Sequence, residues 1–157
     1  MAAFSATTTA QADVAAERAE IWKALVDPDL VARLTPFVRG IRAEGDHWHW
    51  QLTGISLLGR GLAPAFTERM VFEEQRRIEF HHEPPDDTAE RAGVNGWYDL
   101  SDGPDGSTRL ETSLEVCLEA PLPKASGPAV RGAMKGVMAT MGDRFSRNLL
   151  DHLGVPR

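Results

Sequence analysis

The sequence holds five histidines, four of them in two close pairs, His47-Trp48-His49 and His81-His82. Alternate residues of a strand share a face, so His47 and His49 have the spacing to chelate a metal, whereas His81 and His82 point to opposite faces. No further ligand completes either set, and the reading is no metal. Glu68 sits between Phe66 and Met70 on one face of a strand-like segment from Ala65 to Phe72. A carboxyl turned toward an oily interior keeps its proton to higher pH and could exchange it with a substrate; at a strand end in water it would do neither. Tyr98 and His82 complete the set of candidates for proton transfer. Cys117 falls on an outward strand position with no His or cation nearby to make a thiolate, so a nucleophile is not expected there. There is no Gly-rich phosphate loop, no GxSxG elbow and no HExxH helix. No cofactor is implied.

These residues belong to a chain of 157, in which 42% are apolar and 17 Lys and Arg face 23 Asp and Glu for a net charge of −6. That size fits one domain over residues 1–157 with a real core. The acidic balance repels phosphate backbones, which argues against nucleic acid as a partner. The lone cysteine excludes an internal disulfide and makes the cytoplasm the default. The first residues have neither a basic start nor a continuous apolar stretch, and no segment suits a bilayer, so no membrane insertion is expected.

The elements that must position the candidates follow from periodicity. Phe4 to Val14 alternates as a strand, and Glu17 to Val26 carries a helical stripe of Ile21, Trp22, Leu25 and Val26. Asp27-Pro28 ends that helix and starts a second short one that stops before Pro36. Strand-like segments follow over Phe37 to Ala43, His47 to Ile55, Gly61 to Glu73, Arg77 to Glu83, Gly93 to Ser101 and Thr108 to Glu119. The short polar turns between them favour sequential antiparallel pairing. One long amphipathic helix runs from Ser126-Gly127-Pro128 to Gly154, with Val130, Met134, Val137, Met138, Met141, Phe145, Leu149 and Leu153 on one face. The expected fold is α+β: a seven-stranded curved antiparallel sheet around a long C-terminal helix, with two short helices after strand 1.

Alternation then assigns faces. Trp48 and Trp50 turn inward against an outward His47, His49, Gln51 and Thr53, and they either fill the core or touch a ligand. Ile78, Phe80 and His82 turn inward, as do Val94, Gly96, Tyr98 and Leu100, and Leu110, Thr112, Leu114, Val116 and Leu118. The strand holding Glu68 is ambiguous, since Phe66, Glu68, Met70 and Phe72 oppose Ala65, Thr67, Arg69 and Val71; a bulge near Glu68 would reconcile both sets. Met134, Met138 and Met141 form a soft stripe that suits either core packing or ligands of varied shape. Gly132 and Gly136 share a helix face at a cost of about 1 kcal/mol each, which suggests close approach of a neighbour.

Several stretches resemble one superfamily, the START-like, birch-pollen-allergen-like helix-grip proteins (SRPBCC), and within it the polyketide cyclase/dehydrase and lipid-transport group. They are Glu20 to Pro28 (EIWKALVDP), Thr35 to Val38 (TPFV), Gly45 to Trp48 (GDHW), Arg77 to Phe80 (RIEF), Gly96 to Leu100 (GWYDL) and Gly106 to Leu110 (GSTRL). Their order covers nearly the whole chain. The resemblance implies a cavity between sheet and last helix and a small hydrophobic or aromatic ligand, lipid-like or polyketide-like, but transfers no catalytic residue. The expected lining is Trp48, Trp50, Phe66, Phe80, His82, Tyr98, Thr112, Leu114, Met134, Met138, Met141 and Phe145. Two rival expectations stand beside simple binding: a cyclase/dehydratase-type enzyme in which Tyr98, His82 or Glu68 moves protons, and an accessory or stress-related protein working through an outer partner surface. A monomer or a homodimer fits either.

Overall fold

The computed structural model describes residues 2–157. In chain order they form β1 (Ala2–Val14), α1 (Arg18–Leu25), α2 (Pro28–Leu34), β2 (Val38–Glu44), β3 (His47–Leu52), β4 (Ile55–Leu57), β5 (Arg60–Leu62), β6 (Ala65–Glu73), β7 (Arg77–His82), β8 (Ala92–Asp102), β9 (Thr108–Ala120) and α3 (Gly127–Leu153). Seven strands make one antiparallel sheet in the order β1-β9-β8-β7-β6-β3-β2. With the long helix α3 laid against it and two short helices after β1, this is the expected helix-grip architecture.

Local chemistry explains the boundaries. The Asp27 carboxylate accepts the Leu30 N–H at 3.2 Å and Pro28 opens α2, so one dipeptide separates two helices. α3 stops where Gly154 takes a left-handed conformation, φ 70°, and its N–H returns to the Asp151 carbonyl. At 1.5 Å per residue its 27 residues span about 40 Å.

Two strand assignments differ from the sequence expectation. The segment His47 to Ile55 ends as a sheet strand at Leu52, and Gly61 to Glu73 joins the sheet only from Ala65. Between them β4 and β5 pair with each other as a separate hairpin, because Leu58 and Gly59 both have positive φ, 50° and 78°, and reverse the chain in two residues. The bulge expected near Glu68 is also absent. β6 keeps unbroken register with β3 from Ala65 to Arg69 and with β7 from Glu68 to Glu73; the sheet's irregularity lies instead between Val38 and Gly40.

The interior divides into two buried clusters. The larger joins α1 and α2 to β3, β6, β7 and β8 through Ile21, Leu25, Leu34, Trp48, Phe66, Met70, Ile78, Phe80 and Leu100. The smaller joins the start of β1 to the first half of α3 through Phe4, Ala6, Ala120, Val130, Met134 and Met138. Leu114, Val116 and Leu118 of β9 border both clusters and stay half-buried. α3 makes its close backbone approaches to β1, α1, α2 and β4, and none of comparable extent to β6, β7 or β8. Its second half contributes Leu149 to the larger cluster and packs Met141, Phe145, Leu150 and Leu153 against it. No helix among the described residues is long and apolar enough to cross a membrane.

Candidate functional site

Cross-strand register places the inner-face candidates in rows. Glu68 lies opposite Trp48 on β3 and His82 on β7, Phe66 opposite Trp50, and Met70 opposite Phe80, which in turn faces Gly96. Opposed residues share a face. The Phe66, Glu68, Met70 face is thus the inward one, and Glu68 is only 3% exposed. Thr67 on the other face is 2% exposed as well, which is why neither side of β6 reads as the solvent side.

Glu68 takes part in no ion pair among the described residues. Burial in apolar surroundings pushes its carboxyl up from 4.5 to about 8, with the Trp50 indole N–H offsetting part of the rise. The acid is therefore mostly protonated at neutral pH. Trp50 stacks on Phe66, ring centres 5.7 Å apart and planes 17° from parallel, which fixes the indole. Its Nε1 is buried and meets no acceptor in hydrogen-bonding geometry, so the approach to Glu68 falls short of a closed bond. Tyr98 packs against Phe80, centroids 5.9 Å apart. Enclosure and the nearby Glu68 push its phenol up to about 12, so it stays protonated.

Packing separates the expected lining into two kinds. Trp48, Phe66, Phe80, Met134 and Met138 are buried core residues, Phe80 lying across Gly96 where a Cβ would come within 2.7 Å of the ring. Trp50, Tyr98, Thr112, Leu114, Met141 and Phe145 are half-buried, all but Thr112 packing against the larger cluster. The methionine stripe is itself divided: Met134 and Met138 belong to the β1 cluster, Met141 packs on the other. Gly132 and Gly136 do not receive a neighbour; both face open space on α3.

His82 is bonded to a partner outside the row to which alternation assigns it. Its Nε2 meets Glu90 Oε1 at 2.9 Å, its backbone N–H is taken by Asn95 Oδ1 at 2.9 Å, and its ring lies over Gly93. Glu90 also accepts the Thr67 N–H at 2.9 Å and the Thr67 hydroxyl at 2.8 Å, while His49 Nδ1 reaches that hydroxyl at 2.9 Å. The physical reason is that β7 parts from β8 beyond the Phe80–Gly96 pair, and the Glu90 carboxylate fills the gap in the ladder. Opposite Glu68 in register, His82 spends its Nε2 on Glu90. His49 and His47, expected in solvent, are half-buried, and His47 is held between Asp46 and Glu83. Sequence reasoning missed Glu90 because it closes an irregular Pro- and Asp-rich loop; mid-strand Thr67 and Asn95 were the only hints. Cys117 is exposed, and its thiol is pushed up by partial burial and by Glu115.

Two open hollows lie elsewhere, about 630 Å³ by Ala2, Ala3, Pro121, Leu122 and Lys124, and about 420 Å³ between Ser5–Thr7 of β1 and Pro128, Arg131, Gly132 and Lys135 of α3. Neither contains an expected lining residue.

The family model for polyketide cyclase / dehydrase and lipid transport matches residues 5–150. The chain belongs to that family. A START superfamily protein from Mycobacterium smegmatis shares the fold with a TM-score of 0.64 at 14% identity, covering 93% of this chain and 95% of its own. The Zhui aromatase/cyclase from a Streptomyces species gives 0.64 at 15% identity, covering 94% and 93%. Ara h 8.0201 gives 0.59 at 16% identity, covering 94% and 97%. No curated protein sequence matches the chain significantly. At such identities the likeness is one of fold, and the SRPBCC helix-grip assignment rests on it together with the family match.

Proposed function

We propose that this protein binds a small hydrophobic or aromatic molecule between the middle of the sheet and α3. One observation carries the reading: the inner-face Trp50, Tyr98, Thr112 and Leu114 and the α3 residues Met141 and Phe145 stay only half-buried. Aromatic and apolar groups that the protein does not fully bury itself are surface that a flat apolar molecule can cover. α3 is a compliant wall, since Gly132 and Gly136 lower its helical stability without any packing return. A titration with an apolar, environment-sensitive dye and with flat polyphenols should quench tryptophan fluorescence saturably at one site. Flat titrations would overturn the reading.

A second reading, a cyclase/dehydratase-type enzyme, is favoured by Glu68. A carboxyl that titrates at about 8 in an apolar setting can give or take a proton near neutral pH. Tyr98 supplies a neutral hydroxyl beside the same face, and the shape of the space would hold the substrate near its reacting geometry. If Glu68→Gln and Tyr98→Phe both leave turnover of a folded poly-keto substrate untouched, catalysis by these groups fails.

A further inference from the structure

We propose that the free edge of β1 is a docking site for an acidic segment of a partner protein, which adds as an extra strand between β1 and the start of α3. β1 ends the sheet: it pairs with β9 from Ala2 to Val14, and among the described residues no backbone group from Ala3 to Asp13 bonds to the backbone of any other segment. Its second edge is therefore a row of unpaired N–H and C=O groups, the template on which an extended chain can pair. The sheet's other edge, β2, is guarded. It is short, breaks register between Val38 and Gly40, carries Arg39, Arg42 and Glu44, and has α2 packed on it. β1 has none of these devices. It runs for 13 residues in unbroken register, and from Ala2 to Ala12 it holds no charge and no proline. An edge left this open over such a length has room for a strand.

Space and charge beside the edge decide what fits. Both open hollows lie along it, one at Ala2 and Ala3 with Lys124, the other between Ser5–Thr7 and Arg131, Gly132 and Lys135. Lys124, Arg131 and Lys135 are exposed, and none has an ion-pair partner among the described residues. Arg131 and Lys135 stand about one turn apart on α3. Gly127 has no Cβ, and Arg131 Nη1 lies 3.0 Å from where one would stand, so the guanidinium folds back over the first turn of α3, which holds no acid. Unpaired cations along one groove attract negative charge. α3 packs on the face of β1 that carries Phe4 and Ala6, whereas the face with Ala3 and Thr7 continues into Glu119 and Glu115 of β9. A strand laid beside β1 therefore meets cations on one face and carboxylates on the other. The partner that fits is an extended segment whose alternate residues are acidic and whose other residues are neutral.

A peptide of alternating Glu and Thr, about ten residues long to match the edge, capped at both ends and carrying a neutral dye, tests this by fluorescence polarisation against the full chain at low salt. It should bind at least about tenfold more tightly than its Gln-Thr counterpart and weaken as salt rises. Arg131→Gln combined with Lys135→Gln, both at exposed positions, should remove that advantage without moving the thermal midpoint. Hydrogen exchange on the complex should slow alternate backbone amides of β1. N-methylation of one alternate set of peptide amides should abolish binding while methylation of the other set is tolerated. Equal binding of the Glu and Gln peptides, or binding of neither, overturns the proposal. So does tolerance of N-methylation at both sets, which would mean charge attraction without strand pairing. A free chain that sediments as a dimer with the same β1 amides already slow would give the edge to a second copy, and overturns it as well.

Discussion

The carboxylate of Glu90 accepts both the backbone N–H and the hydroxyl of Thr67, at 2.9 and 2.8 Å, from a loop 23 residues further along the chain. Where β7 departs from the sheet, a side chain therefore closes the β6 ladder in place of a strand. The same carboxylate holds His82, so Glu90 ties the end of the loop from Glu83 to Arg91 to both β6 and β7.

Removing that pin exposes its worth. Glu90→Ala leaves the Thr67 N–H buried without a partner and should cost about 1–3 kcal/mol in urea unfolding. A double-mutant cycle with Thr67→Val should show coupling of about 0.5–2 kcal/mol, because the hydroxyl bond exists only in the pair. A loss below about 0.5 kcal/mol for Glu90→Ala would show that water replaces the carboxylate.

Glu68 ties stability to pH. The folded protein holds this proton to about pH 8, the unfolded chain releases it near 4.5, and the folded state therefore binds more protons in between. Stability from this group is full below 4.5, falls as pH rises through the window and levels off above about 8. At about 1.4 kcal/mol per pKa unit the change is on the order of 3–5 kcal/mol. Glu79 and Asp151, both held low by arginine partners, slope the other way at more acidic pH, so the comparison must be with Glu68→Gln. Urea midpoints at pH 5, 7 and 9 should show the wild type losing ground to Glu68→Gln as pH rises. Parallel curves would mean that the carboxyl ionises freely.

Most of the architecture was legible because it is written in local patterns. Alternation in β1 and β9, the Asp27-Pro28 break and the long stripe of α3 each need only neighbouring residues to be read. β6 was not legible. Its two faces are both buried, one by the core and one by Glu90, so no polar side marked the outside. His82 stays opposite Glu68 in register, but its ring is hydrogen-bonded to Glu90, a loop partner that alternation does not reveal. The core and accessible members of the expected lining could not be told apart either, since an inward position says nothing of whether a helix covers it. Trp48 and Trp50 share a face two residues apart, yet Trp48 is buried and Trp50 only half-buried.

Glycines at two sites should respond in opposite directions to the same substitution. At Gly96 an added Cβ would stand 2.1 Å from the Ser113 carbonyl oxygen and 2.7 Å from the Phe80 ring. The oxygen is backbone in the middle of a paired strand and cannot yield, so Gly96→Ala should cost about 3 kcal/mol or more and disturb the Phe80–Tyr98 packing beside the candidate site. At Gly132 the added methyl meets open space on an exposed helical position, and Gly132→Ala should gain about 0.5–1 kcal/mol from helix propensity and a less free unfolded chain. In a chain of this size that gain raises the thermal midpoint by about 1–4 °C, against a fall several times larger for Gly96→Ala. A neutral Gly96→Ala would mean that β8 and β9 can separate locally. A destabilising Gly132→Ala would mean that the exposed face of α3 rests on something in solution.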